Sequence, residues 1–436
     1  MKILLVNPFW VFYPGTNKRP GGPPSTMAIL ASVFQQRHVD VSVYDFMASD
    51  NHFHDGDTLV YGKDIANFIS YLASDSWDAI GFTDSWTVQH PNVERLIRLV
   101  RHMNNDQFVF VGGHHATITD DYDTDINLRI LGEIEPVIDD VLDHIENRTD
   151  GIVGPVLTQN LDDLPIPAYD TLDLKYYLER KRNHHGSMLL GGVQVVTSRG
   201  CPHMCNFCTV HLSMGRKWRA NSPDYVLEML HDLYFNGFTN IHFEDDNVMV
   251  DMPRWIEIME RMALHSHWQW DTPNGVRLNH LTDDVLELAA KSGCKEFRIA
   301  IETSNDEIRN NIVHKNLDID NVYHVAEKCH DLGIVLSSFY MVGMPGETLD
   351  DMRNTLRLAS KLEDEYYVVP RYSIATPFPK TQLLHDCLDN GWLDVSYPYT
   401  VRQLAGGTHL RGLIRTDDFG PEDINKIYAA WKRRTL

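Results

Sequence analysis

Cys201, Cys205 and Cys208 stand in the run Cys201-Pro202-His203-Met204-Cys205-Asn206-Phe207-Cys208, after an apolar, β-branched stretch from Val193 to Thr197. The triad therefore falls where a strand gives way to a loop, with a spacing that binds metal. Three thiolates can hold three irons of a four-iron, four-sulfur cluster and leave the fourth iron open, whereas a structural zinc site needs four closed ligands. No fourth cysteine or nearby Cys-x-x-Cys completes a zinc cage. His203 could serve as the fourth zinc ligand, but a residue wedged between the first two cysteines has little freedom to close a tetrahedron. The cluster reading stands ahead of zinc, and a set of inert core thiols comes last.

A site of this kind needs a scaffold, and 436 residues exceed the usual single-core limit, so two domains are expected. A hydrophobic content of 43% with 10% aromatics can fill both cores. Six cysteines without a signal peptide argue for a reducing, cytoplasmic compartment. No stretch approaches the roughly 20 apolar residues that span a bilayer. A net charge of −22 opposes nucleic acid and anionic membranes over most of the surface, which points to a small molecule or a peptide as substrate. Cys294, Cys329 and Cys387 have no partner spacing and read as core thiols.

Residues 1–150 alternate apolar runs (Ile3 to Asn7, Val39 to Tyr44, Ala79 to Phe82, Phe108 to Val111) with helical stretches (Ala28 to Gln36, Val93 to Met103, Pro136 to Ile145). Such alternation predicts a doubly wound, Rossmann-like parallel sheet with ligands at the strand carboxyl ends. Two Gly-rich turns lie there, Pro20 to Thr26 and Gly112 to Thr117, although backbone geometry alone often demands such glycines. Residues 151–185, with Leu164-Pro165-Ile166-Pro167, read as a connector. Residues 186–385 hold a second series of strands: Val193 to Thr197, Ile241 to Phe243, Trp268 to Asp271, Phe297 to Ile301, Val335 to Val342 and Tyr366 to Ile374. With helical stretches at Asp224 to Phe235, Asp283 to Lys291, Val322 to Leu332 and Leu349 to Lys361, these suggest a partial (β/α)6 barrel whose chemistry sits at the strand carboxyl ends. Residues 386–436 form a C-terminal extension that covers the barrel mouth and, with the loop from Tyr13 to Thr26, selects the substrate.

The triad resembles the signature of the radical S-adenosylmethionine (SAM) superfamily, and the order of the two domains resembles its cobalamin-binding subclass over residues 1 to about 385. The resemblance implies that Cys201, Cys205 and Cys208 ligate a [4Fe–4S] cluster and that SAM takes the open iron. Glu244, Asp245 and Asp246 look like the acidic loop that receives the SAM amino group; the plainer reading is a solvated turn or a helix cap. Glu302 and Ser304 resemble the residues near the SAM ribose, and the turn Tyr340 to Glu347 resembles the one near the adenine. Arg219 and Arg277 are candidates for the SAM carboxylate, with a surface or interdomain ion pair as the alternative. Gly112, Gly113 and His114 match the subclass Gly-Gly-x-His turn and would contact the cobalamin nucleotide tail. The chain departs from the common pattern in lacking Asp-x-His-x-x-Gly after the first strand, which leaves the lower cobalt face to Asn7, Trp10, Tyr13 or a water. Asp50 to Gly56 nearly fits but follows the second strand and is read as coincidence.

The implied activity is reductive cleavage of SAM to a 5′-deoxyadenosyl radical, hydrogen abstraction from an unactivated carbon and methyl delivery from methylcobalamin, giving a C-methylated small molecule or peptide. An electron donor such as flavodoxin or ferredoxin is implied as a partner. A radical SAM oxidative cyclase or rearrangement enzyme would use the same motifs, and a non-catalytic cobalamin or metal sensor is the reading from another class. The cofactors carry the chemistry, so no acid–base catalytic residue is assigned.

Overall fold

A computed structural model describes residues 1–13, 21–120, 122–180, 184, 186–407 and 411–433. Part of the expected specificity loop, residues 14–20, lies outside the described residues, and with it Pro20 of the first Gly-rich turn.

Six short apolar segments become the strands of the N-terminal sheet: β1 (Lys2–Asn7), β2 (Asp40–Asp45), β3 (Ala79–Thr83), β4 (Phe108–Gly112), β5 (Leu128–Gly132) and β6 (Gly151–Val156). All pair in parallel, in the order β2-β1-β3-β4-β5-β6. Alternate residues divide between two cores. Ile3, Leu5, Phe108 and Phe110 join Met27, Ala31 and Phe34 of the helix Ser25–Gln36, whereas Leu4, Val6, Ile80, Phe82, Val109 and Val111 join Phe68, Leu96 and Ile97 of the helices Ile65–Ala73 and His90–Met103. A parallel sheet covered on both faces needs apolar residues at both parities, which is why these strands read as continuous runs. The winding reverses direction between β1 and β3, and a cleft opens at such a switch point.

The domain boundary differs from the one expected at residue 150. β6 completes the N-terminal sheet from the first residues of the expected connector, while residues 157–180 carry two short helical turns and the helix Leu174–Arg180. β6 was hard to read because Gly151, Gly154 and Pro155 are poor strand formers, tolerated on an edge.

The second sheet runs in sequence order, all parallel: β7 (Val193–Val195), β8 (Asn240–Phe243), β9 (Gln269–Val276), β10 (Cys294–Glu302), β11 (Val335–Val342) and β12 (Val369–Ile374). This is the expected partial barrel. The β12 strand starts three residues later than read, because Tyr366 closes the helix Leu349–Tyr366. Ser222, Asp251, Thr282 and Thr348 cap the helices Pro223–Phe235, Met252–Met262, Asp283–Ser292 and Leu349–Tyr366 by accepting a hydrogen bond from the amide three residues on. The lumen is polar: Glu296 accepts from Arg298 at 3.0 Å, Ser337 at 2.6 Å and Arg371 at 2.6 Å, and His242 pairs with Asp271 at 2.7 Å.

The C-terminal extension packs on the barrel and reaches the N-terminal domain. Ile424 and Ile427 of the helix Pro421–Lys432 join the core with Val342 and Ile374, and Arg402 forms a two-pronged ion pair with Asp57. Cys294, Cys329 and Cys387 are buried core thiols. Among the described residues, no helix is long and apolar enough to cross a membrane.

Candidate active site between the two domains

The cysteine loop starts from a strand end that two acidic residues hold down. Asp245, just past β8, is buried and accepts from the Thr197 amide at 3.2 Å, the Thr197 hydroxyl at 2.8 Å and the Ser198 hydroxyl. Asp246 accepts from the Gly200 amide at 3.0 Å. Gly200 has φ 85°, and a Cβ there would stand 2.7 Å from the Lys217 carbonyl, so the sharp entry into the loop requires glycine. Cys201, Cys205 and Cys208 follow as half-buried free thiols, with the Cys208 amide donating to the Cys205 carbonyl at 3.2 Å. Burial pushes all three thiols up, Cys208 to about 11, while the positive charges of Lys315 and Arg277 oppose it at Cys205.

Arg277, which follows β9, lies beside this loop. Its guanidinium donates to the carbonyls of Lys315 (3.0 Å) and Asn316 (2.5 Å) and stands 3.4 Å from His203 Nδ1. Glu302 ends β10 at φ 63° and pairs with Lys315 Nζ at 2.8 Å. Ser304 turns to Thr355, which receives its amide at 3.0 Å and lies 3.3 Å from its hydroxyl, so Ser304 ties the strand end to a helix and leaves the approach to the loop to Glu302.

Across from the loop, the carboxyl ends of β1, β3, β4 and β5 border two adjoining cavities of about 290 and 530 Å³. His114, Ser213, Glu244 and Asp246 line both. Asn7 and Trp10 line the larger one; Asn7 donates to Asp45 at 2.7 Å, and Trp10 meets Trp86 edge-on at 5.7 Å between ring centres. Tyr13, by contrast, packs at the margin of the apolar core behind β1 and is not part of the cavity wall. Gly112 and Gly113 line the smaller cavity; Gly113 has φ 122°, and a Cβ there would strike the Asp84 carbonyl at 2.7 Å. His114 Nδ1 lies 2.7 Å from Ser213 Oγ across the domain boundary, while its Nε2 is buried with no hydrogen-bond partner. Glu244 faces the cavities and is held by His184. The His184 Nδ1 accepts from Gly21 (3.1 Å) and Gln194 (2.8 Å), so its Nε2 carries the proton and donates to Glu244. Burial raises Asp246 to about 6, and the Gly200 amide pulls it back only in part.

Arg219 lies elsewhere than the expectation placed it. Its guanidinium contacts Glu133 at 2.7 and 3.0 Å and donates to the carbonyls of Thr158 and Met214. That is the interdomain ion pair, the alternative reading of this residue. Asp245 likewise serves the cysteine loop and not the cavity.

Residues 195–359 match the Radical SAM superfamily and residues 20–142 match the B12 binding domain. The chain belongs to the cobalamin-binding subclass of the radical SAM superfamily. It is 28% identical over 396 residues to an uncharacterised methyltransferase of Pyrococcus horikoshii, covering 85% of this chain and 80% of that protein. It is 24% identical to the cytidylyl-2-hydroxyethylphosphonate methyltransferase of Streptomyces wedmorensis, covering 99% and 89% of the two chains. The fold is similar to that of the radical SAM methyltransferase TsrM from Kitasatospora setae, solved with cobalamin and a [4Fe–4S] cluster: TM-score 0.67, 15% identity, 89% of this chain and 74% of that one. This radical SAM protein is thus an enzyme of the methyltransferase group, with SAM, a [4Fe–4S] cluster and cobalamin as cofactors. The relatives give no support to the cyclase and sensor readings.

The residues present suit those groups. The radical SAM barrel offers three thiols on one loop flanked by two cations, and the B12-binding domain offers a glycine cradle and an unpartnered buried His114 nitrogen in a cavity wall. Sequence reading missed Lys315, His184, Glu133 and Arg199, which lie in no motif; only the positions of their partners in space mark them.

The barrel turn after β11 makes a separate prediction. Glu347 is buried; its carboxylate accepts from the amides of Gly343 (2.8 Å) and Met344 (2.9 Å) and from the Thr303 hydroxyl (3.2 Å), yet burial outweighs them and raises it from 4.5 to about 7. Between those values the folded chain keeps a proton that the unfolded chain releases, so stability falls as pH rises through this window. Glu347→Gln keeps the acceptor and removes the titration. Urea unfolding at both ends of the window is expected to show wild type losing up to about 3 kcal/mol relative to the variant. Parallel pH profiles for the two proteins would refute this assignment.

Proposed function

We propose that this enzyme transfers a methyl group to a carbon atom of a small molecule or peptide held in the cleft between the B12-binding domain and the radical SAM barrel. The observation that carries the reading is the larger cavity, whose wall runs from Asn7 and Trp10 on one domain to Glu244 and Asp246 on the other, beside the cysteine loop. When bound, the cluster supplies the electron that cleaves SAM and cobalamin supplies the methyl group.

The chain's own residues hold and orient. Cys201, Cys205 and Cys208 bind iron and leave one position open. Glu244, fixed by His184, and Asp246, fixed by Gly200, accept hydrogen bonds from the SAM ammonium; a cation there offsets the burial that raises Asp246. Arg277 takes the SAM carboxylate, since it already lies beside Cys201 and Cys205. Glu302 reaches the ribose. Gly112, Gly113 and His114 would receive the nucleotide tail of cobalamin, and Asn7, oriented by Asp45, would hold the group at the carboxyl end of β1. Phe9, Trp10, Val93 and Phe378 in the cavity wall exclude water from the reacting carbon. A flavodoxin- or ferredoxin-type protein delivers the electron.

The test is an anaerobic incubation of cluster-reconstituted enzyme with SAM and reductant, with and without hydroxocobalamin. About one equivalent of S-adenosylhomocysteine per retained cobalamin is expected, and none without it, because methyl loading and radical formation consume different SAM molecules. 5′-Deoxyadenosine without cobalamin-dependent S-adenosylhomocysteine would overturn methyl transfer.

A further inference from the structure

Asp84, His90 and His115 converge at the carboxyl end of β3, and one ligand atom from each lies within 4.8 Å of the others. Three separate segments supply them: Asp84 follows the strand, His90 opens the helix His90–Met103, and His115 belongs to the short helix His114–Ile118. Their exposures are 1%, 6% and 4%, so the cluster is interior and is not a solvated acidic patch.

Its internal hydrogen bonds do not satisfy it. Asp84 Oδ2 lies 2.8 Å from His90 Nδ1 and accepts from the Tyr122 hydroxyl at 2.7 Å. Asp84 Oδ1 and both nitrogens of His115 are buried without any hydrogen-bond partner. The two imidazoles stand tilted by 37° at 4.2 Å between centroids, and neither His115 nitrogen bonds His90. Buried polar atoms left open cost on the order of 1–3 kcal/mol each, and a ligand that accepts lone pairs at this close-set cluster would relieve that cost.

We propose that Asp84, His90 and His115 form a zinc site, distinct from the cysteine cluster and set behind the wall of the larger cavity, which Asp84 also borders. Two imidazoles and one carboxylate are a zinc donor set, and three protein ligands leave the fourth position of the tetrahedron to an exogenous group. The surroundings supply what orients such ligands: the Tyr122 hydroxyl fixes Asp84, and Glu94 Oε1 stands 4.0 Å from His90 Nε2. His90 and His115 also border a cavity of about 410 Å³ beneath the C-terminal extension, lined by Lys380, Tyr397 and Tyr399. The fourth ligand enters from there, as a water or an anionic group attracted by Lys380. Because His115 adjoins His114, the ion clamps β3 and the helix His90–Met103 to the Gly112–Gly113–His114 turn that borders the cobalamin cavity.

The measurement is zinc, iron and cobalt in one digest of cluster-reconstituted, cobalamin-loaded full-length enzyme, exposed to zinc and then desalted. Wild type should hold about one zinc beside about four irons. His115→Ala and Asp84→Asn should lose zinc about tenfold or more while keeping iron and cobalt, which also certifies that they fold. Zinc unchanged in both variants, as it would be if parked on empty cysteines, overturns the site, and so does wild type that holds no zinc at full iron. Should the variants prove insoluble, wild type stripped with a chelator and titrated with zinc against a chromophoric competitor decides the question. Uptake of about one equivalent at unchanged iron supports the site, and no uptake overturns it.

Discussion

Cys205→Ala is expected to abolish formation of 5′-deoxyadenosine from SAM, a loss of roughly a thousandfold or more, equivalent to about 4 kcal/mol of barrier. The middle cysteine is the one that Lys315 and Arg277 both face; they oppose the burial that still raises its thiol, and its loss removes one of the three sulfurs that hold iron. Cluster loading needs all three thiols deprotonated, and burial raises each, so iron uptake should also weaken as pH falls. Cys329→Ala is the control: a buried thiol in the barrel core, whose loss costs packing but leaves iron content and SAM cleavage intact. Iron per chain and 5′-deoxyadenosine per iron, measured in both variants, separate the two roles. Wild-type cleavage by Cys205→Ala would remove the cluster from this loop.

The same loop shows where sequence reading succeeds and where it stops. The triad is local: three residues within eight positions of one chain carry their own geometry, so their spacing alone reports a metal site. The acidic run is equally local, but Glu244, Asp245 and Asp246 point different ways at a strand end. Only the fold shows that Asp245 staples Thr197 and Ser198 while Glu244 lines the cavity. Arg219 and Arg277 look alike in sequence, and their difference lies in partners far along the chain, Glu133 for one and the Lys315 and Asn316 carbonyls for the other. The architecture was legible because buried parallel strands are apolar runs. The segments that escaped, such as β5 with Arg129 and β6 with its glycines and proline, sit toward the sheet edge where that pattern fades. Asp84, His90 and His115 form no motif at all, since their closeness comes from the switch point itself.

Glu133→Gln is expected to destabilise the chain by about 3–5 kcal/mol, because it leaves two buried guanidiniums facing a neutral amide. Glu133 follows β5 in the B12-binding domain and is 4% exposed; Arg199 and Arg219 lie on the short antiparallel ladder, Ser198–Arg199 with Arg219–Ala220, that flanks the cysteine loop. Arg199 meets Glu133 at 3.2 Å, Arg219 meets it at 2.7 Å, and the Thr158 amide donates to it at 2.8 Å. Burial alone would push this carboxyl up, yet the two arginines and the amide hold it below its ordinary value, so the attraction wins. The stability it contributes is present above the unfolded carboxyl's pKa and is lost as pH falls through the lower folded value. After the substitution Arg199 keeps Glu135 at 2.7 Å, but Arg219 has only backbone carbonyls. Replacing Glu133 and Arg219 together with methionine should recover most of the loss, since the penalty comes from the uncompensated charge and not from the absence of the pair. Because the ladder leads into Cys201, the single variant should also hold less iron, while the double variant regains it. Urea unfolding with iron counted on the same samples decides the matter. A single variant within about 1 kcal/mol of wild type would mean that solvent, and not Glu133, balances these arginines, and the domain interface would not be what positions the cysteine loop.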